Sequence, residues 1–438
     1  MQTILSLIVL AILLIWIRHI YTSNNNGFRT VHLGRGSYYL LSRNMYFVIF
    51  TICTAPVFVH GFSLFKYAIW FITVLILLLG NKIRIKFEAI TIMYSIFFLW
   101  LCYAMINSPV PYDGFMMLIK YSLPILFLWL GYSAINNEKD LIALLKAVNK
   151  VACIYCLIAG GQAYKLMPSL YFGPIGGQFT RYAGFACFLT SIFIVPTILY
   201  WLTREKKYIF CALWMVLSTV LESVRTGMGG MMLVFITAIL LRHKWKAVPG
   251  VVFTGVIFLG IVLFVPQVNE KFFGEDAGKV TATDIVQGNA MSLKNMEMSG
   301  REFMWERVKD NCYYGNETFG GGLGTSGRFV KNYGTATNGL VMMHNDYLQI
   351  ICDTGLIGIT LLTLFYLIVI FKVASIVTPR NCPPLVKLTG IMALSSMTGI
   401  AFCMYFDNVV SNSMQAMVMP YIYIGFFLKA LDLKKQVA

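Results

Sequence analysis

Ala247-Val-Pro-Gly-Val-Val-Phe-Thr-Gly-Val-Ile-Phe-Leu-Gly-Ile-Val-Leu-Phe-Val265 runs for nineteen residues without a charge. Coiled as an α-helix at about 1.5 Å per residue, it covers roughly the 30 Å of a bilayer's hydrocarbon core. Arg242, Lys244 and Lys246 precede it, and the polar Pro266-Gln267 follows. A basic face on one side and an uncharged exit on the other is the pattern of a helix crossing a membrane.

Similar apolar runs recur around residues 2–21, 45–61, 64–80, 88–106, 115–135, 148–164, 184–203, 208–224, 228–241, 355–373, 385–406 and 414–430, thirteen in all. The expected fold is therefore an all-α polytopic membrane protein with about 13 transmembrane helices, within a range of 12–14. The short pair flanking Arg225 leaves two readings open: two full spans, or a broken or re-entrant segment. Composition agrees with lipid as the main solvent: 58% of the 438 residues are hydrophobic and only 12% charged, where a soluble domain carries about a quarter. Three regions follow: an N-terminal bundle of about ten helices (1–265), one large polar, glycine-rich loop (266–345), and about three C-terminal helices (346–438).

The net charge of +16 invites a nucleic-acid reading, and the placement of the charges argues against it. With the N-terminus outside, 22 of the 35 Lys and Arg fall on the inner side, spread over every inner loop. The short outer loops hold only Lys66, Lys165, Arg181 and Arg225, and Lys120 lies within a span. Positive residues retained on the cytoplasmic side explain the excess. The first apolar run, Ile4 to Ile17, lacks a basic leader and a small-residue cleavage pattern, so it is expected to stay as a helix. The ten cysteines are scattered; Cys153-x-x-Cys156 lies in an apolar helix with no second pair, and Cys312 could pair only with Cys352.

The chemistry is expected in the large loop. Ser299-Gly300-Arg301-Glu302 reads as a capping box, opening a helix from Arg301 to Cys312. In its first turn Arg301 would meet free backbone N–H groups that already favour anions. Its planar fork suits two phosphate oxygens, although a surface arginine stacked on Trp305 is the plainer reading. Gly320-Gly321-Gly322-Leu323-Gly324-Thr325-Ser326-Gly327 lacks the ending of a nucleotide P-loop; it reads as a flexible turn or, less readily, as backbone donors for a ligand. His344, in His344-Asn345-Asp346-Tyr347-Leu348-Gln349, is the only histidine of the loop, and neighbouring cations would favour its neutral, proton-accepting form. It is a candidate general base or a backbone-satisfied interfacial histidine. No second histidine or carboxylate stands near it at ligand spacing, so no metal is expected. Arg225 interrupts an apolar stretch at the outer face, where an ionisable residue is a functional candidate. Nearby Gly227, Gly229 and Gly230 would permit a tight turn or a close helix approach. Lys120 and Arg181 add cations on the same side and could either snorkel or help surround an anionic lipid headgroup.

Arg301-x-x-x-Trp305, the Gly-Leu-Gly of the loop, His344-Asn345-x-Tyr347-Leu348 and Asp353-x-Gly355-Leu356-x-Gly358 together resemble the Wzy/WaaL superfamily of O-antigen and exopolysaccharide polymerases and O-antigen ligases. Arg225-x-Gly227 fits the same pattern, and Gln178 to Gly184, around Arg181, fits its upstream arginine motif loosely. Asp353 stands where glutamate is commoner, and the extra N-terminal span departs from the twelve-helix ligase plan, which favours polymerase. The resemblance implies metal-independent, inverting glycosyl transfer at the outer face of a bacterial inner membrane, with no cofactor. The donor would be a glycan on undecaprenyl diphosphate and the acceptor a second lipid-linked repeat or lipid A-core. A flippase and a chain-length regulator would be partners. Arg225 and Arg301 would hold the diphosphate and His344 would activate the hydroxyl, with Arg181, Lys120, Asn345 and Tyr347 as substrate-binding candidates. A transporter of lipid-linked sugars is the competing class, but no paired halves or midplane charges of the transporter kind are visible.

Overall fold

The computed structural model describes residues 28–33, 36–41, 58–59, 87–163, 177–178, 183–221, 223–273, 301–337, 339–410 and 415–437. The expected spans at 2–21 and 64–80, that at 45–61 apart from Phe58–Val59, the Ser299-Gly300 part of the capping box and Arg181 lie outside these residues.

The described chain is overwhelmingly helical. Its only strands are two short antiparallel pairs, β1 (Phe28–Leu33) with β2 (Gly36–Leu41) and β3 (Phe58–Val59) with β4 (Gly177–Gln178). The helices are α1 (Ala89–Ile106), α2 (Pro111–Ala134), α3 (Glu138–Ala163), α4 (Ala183–Ile192), α5 (Ile194–Thr203), α6 (Lys207–Leu221), α7 (Arg225–His243) and α8 (Val248–Phe264). They continue with α9 (Pro266–Phe273), α10 (Arg301–Val308), α11 (Thr325–Thr337), α12 (Asp346–Val377), α13 (Pro384–Phe406) and α14 (Gln415–Val437). Among the described residues, seven stretches are long and apolar enough to cross a membrane: 89–106, 111–134, 185–203, 225–264, 346–377, 384–406 and 416–434. The 40-residue stretch is two helices, because Lys244 leaves the helical region (φ 56°, ψ −134°) and a 3₁₀ turn over Lys244–Ala247 separates α7 from α8. Helices α6 and α7 form a helical hairpin: Ser223 takes φ 53°, and Thr219 of α6 reaches Met231 of α7. The segment around Arg225 is thus a turn between two helices.

Lipid is as apolar as leucine, so burial against water does not drive these helices together; close packing does. Glycines supply the approach. A Cβ on Gly131 of α2 would stand 2.1 Å from the Ile422 carbonyl of α14, and one on Gly425 would stand 2.2 Å from Leu128 O. Gly227, Gly229 and Gly230 of α7 do the same against Ala186 of α4 and Phe402 and Cys403 of α13. Of the two readings of that run, close helix approach holds, while the turn belongs to Ser223. One continuous core joins α1 to α7 with α12 to α14, including Tyr94, Phe97, Phe365 and Tyr421 in mutual edge and stacked contacts.

The helices alternate in direction, which sorts their ends into two faces. One face holds residues 104–113, 223–225, 343–346 and 406–410, and the loop from Arg301 onward folds over it. The opposite face carries Lys139, Arg204, Lys206, Lys207, Arg242, Lys244, Lys246, Arg380 and Lys387. Arg242 stacks on Trp201 there at 4.0 Å, and Lys372 pairs with Glu88.

Candidate active site

The loop is fastened before it is functional. Helix α10 begins at Arg301 and continues through a π-helical turn to Tyr313, close to the expected helix. Met304, Val308 and Cys312 on its inner side pack with Val330 of α11 and with Met343, Leu348 and Cys352. Trp305 Nε1 donates to the Met343 carbonyl at 2.7 Å and its ring lies edge-on to Tyr405. Cys312 and Cys352 share this small core as free thiols.

The glycine-rich stretch is neither a flexible turn nor a ligand cradle. Its N–H groups point inward: Gly321 to Cys352 O, Gly322 to Asp353 O and Leu323 to Ala104 O. Gly324 N and Ser326 N donate to the Asp353 carboxylate at 2.8 and 2.9 Å, and Ser326 Oγ joins them at 2.6 Å. Asp353 therefore caps the start of α11 from another helix. Gly355 follows with φ 68°, interrupting α12, and a Cβ there would lie 2.2 Å from Thr318 O. The Asp353-x-Gly355 motif is a clamp on the loop, legible in sequence only as a pattern.

At the mouth of the bundle, His344 adopts φ 53°, a region non-glycine residues seldom occupy and one that clusters at functional sites. Its N–H donates to Asn408 Oδ1 at 2.9 Å, and its Nδ1 lies 3.2 Å from Asp407 Oδ1. The imidazole is 23% exposed and the Asp407 side chain 9%. A carboxylate on Nδ1 favours the tautomer that carries its proton there and leaves Nε2 as the acceptor. Arg301 Nη1 donates to Phe406 O at 2.6 Å, one residue before Asp407. Burial lowers the Arg301 pKa and the Asp407 charge opposes that shift; an arginine keeps its proton in either case.

Arg225 opens α7 as its first helical residue, and its guanidinium lies 5.9 Å from the ring of Phe272 in α9. The next residue, Thr226, accepts through its carbonyl from Cys403 Sγ of α13, and Cys403 O in turn accepts from the Asp407 N–H. Arg301 and His344 thus meet at the residues just past α13, while the Arg225 guanidinium faces α9 and only its neighbour Thr226 reaches the last turn of α13. Asn345 caps α12 through Leu348 N at 2.9 Å, and Tyr347 bonds Ala401 O at 2.9 Å, so both polar groups are used inside the protein. Lys120 sits in α2, partly buried, and interacts electrostatically with Asp346.

Sequence reading missed Asp407 and Asn408. A signal was present: two polar residues abruptly ending an apolar run, the kind of interruption that exposed Arg225. Sequence spacing showed no carboxylate near His344; the partner arrives from 63 residues away. Among the described residues, no three His, Cys, Asp or Glu side chains gather as metal ligands.

Residues 210–363 match the Wzy_C family model, O-Antigen ligase. The matched segment holds Arg225, Arg301, His344 and Asp353 and supports the resemblance to the Wzy/WaaL superfamily. No curated protein matches the chain.

Proposed function

We propose that this protein is a metal-independent inverting glycosyltransferase that polymerises undecaprenyl-diphosphate-linked repeat units into O-antigen or exopolysaccharide at the periplasmic face of the inner membrane. The observation that carries the reading is the His344–Asp407 pair beside Arg301 at the face opposite the basic loops. Neutral His344 Nε2 takes the proton of the acceptor hydroxyl as its oxygen attacks the anomeric carbon. The glycosidic C–O bond to the diphosphate breaks on the far side, and Arg301 and Arg225 stabilise the charge the leaving diphosphate gains. The imidazolium that forms is stabilised by Asp407, as a buried carboxylate does in other acid–base sites. Thirteen spans, with basic residues kept to the cytoplasmic side, would set this face outward.

The similarity to the O-antigen ligase family supports a second reading, a ligase with lipid A-core as acceptor. Purified protein with its lipid-linked repeat alone should produce a ladder of glycan lengths. A single product that requires added lipid A-core would overturn polymerisation in favour of ligation. A flippase and a chain-length regulator would be partners in the first case.

A further inference from the structure

Asp346 is a carboxylate that the chemistry above does not use. It follows the Asn345 cap, is 1% exposed, and turns away from its own helix to accept the Val410 N–H on Oδ2 at 2.9 Å. Val409's backbone bonds it as well. The bonds between residues 344–346 and 407–410 keep a near-constant spacing of 63 or 64 residues: His344 ring to Asp407, His344 N–H to Asn408, Asp346 to Val410. Two loop segments therefore lie side by side in a fixed register, with Asp346 as the last rung.

The charged groups that act on Asp346 are Lys120 from α2 and Asp407 from the end of α13. Among the described residues, Asp346 Oδ1, Asp407 Oδ2 and Asn408 Nδ2 are buried without a hydrogen-bond partner. Two carboxylates so placed repel, and a buried carboxylate is held only by a compensating cation or by donors. Lys120 supplies the cation and residues 409–410 the donors.

We propose that Asp346, compensated by Lys120, is a positioning residue for the transfer reaction: it locks residues 407–410 in the register that sets Asp407 against His344 Nδ1. The inference rests on His344 being the proton acceptor. Lys120 then acts within the protein rather than on the donor headgroup.

The test compares Asp346→Asn, Lys120→Met, Asp407→Asn and the double variants in the full chain, with lipid-diphosphate-linked glycan isolated from the producing cells. A second readout needs no substrate: the rate at which diethyl pyrocarbonate modifies His344, followed on its peptide by mass spectrometry. Asp346→Asn should lower kcat about tenfold, leave donor KM within about twofold, and speed modification of His344. Added to Asp407→Asn it should cost nothing more, because both act through one imidazole. Lys120→Met with Asp346→Asn should recover activity over either single change, since no unpaired buried charge remains. Wild-type kcat with unchanged modification, or losses that multiply with Asp407→Asn, would overturn the proposal. Where Asp346→Asn does not fold, Lys120→Met carries the same comparisons. Faster His344 modification alongside a fully active His344→Ala would uphold the register and overturn the catalytic reading on which it rests.

Discussion

Nδ1 of His344 lies 3.2 Å from Oδ1 of Asp407 although 63 residues and two long helices separate them. The contact joins the last residues of the large loop to the end of α13, and Arg301 binds the carbonyl immediately before Asp407. Two residues read as candidates for separate reasons, Arg301 and His344, thus share one anchor.

His344→Ala should reduce transfer by about 10²–10⁴-fold, the usual contribution of a positioned acid–base group, while the protein still inserts and binds donor. Asp407→Ala should fall short of that loss, since the imidazole remains but is no longer oriented. Initial rates with purified protein check both. Unchanged turnover in His344→Ala would remove the residue from the mechanism.

Arg301→Ala should weaken donor handling and slow transfer by about 10²–10³-fold. Arg301→Lys should restore little, because an ammonium cannot bond the Phe406 carbonyl and grip a diphosphate with a planar fork together. Comparing kcat/KM of the two variants decides; equal and high values would argue against fork-like capture.

Asp353→Ala should destabilise the loop by about 2–4 kcal/mol, since three donors from Gly324 and Ser326 lose their acceptor inside the protein. Limited proteolysis should then cut within residues 320–327, which the wild-type protein protects. Resistance equal to wild type would show that the loop is held by other contacts.

Gly355→Ala should be worse tolerated than Gly255→Ala. At Gly355 the backbone has φ 68° and a Cβ would meet Thr318 O at 2.2 Å, whereas nothing lies within 4 Å of a Cβ at Gly255. A loss of more than about 2 kcal/mol is expected for the first, read as the shift in thermal unfolding in detergent.

Burial, reinforced by the Asp353 charge, pushes the Cys312 thiol up to about 11. The raised value disfavours the thiolate, the reactive form, so at pH 8 only about a thousandth is ionised. Maleimide should leave Cys312 unlabelled in the folded protein and label it after denaturation. Rapid labelling at pH 8 would contradict its place in the loop core.

The helical, membrane-type architecture could be read from residues 247–265 and their counterparts because a span is a local property: about twenty apolar residues satisfy their own backbone hydrogen bonds. Arg225, Arg301 and His344 also stood out locally: a cation interrupting an apolar stretch, an arginine in the first turn of a capped helix, and the one histidine of the large loop. The glycine-rich loop could not be read that way, because its N–H groups are satisfied by Asp353 and Ala104, far along the chain. Nor could Asp407 be matched to His344, or Asp346 to Val410. Periodicity and composition report what one segment needs from its solvent. Which carboxylate meets which imidazole depends on how helices pack at close range, and that is settled by the shapes of residues such as Gly229, Phe402 and Cys403 meeting across the bundle.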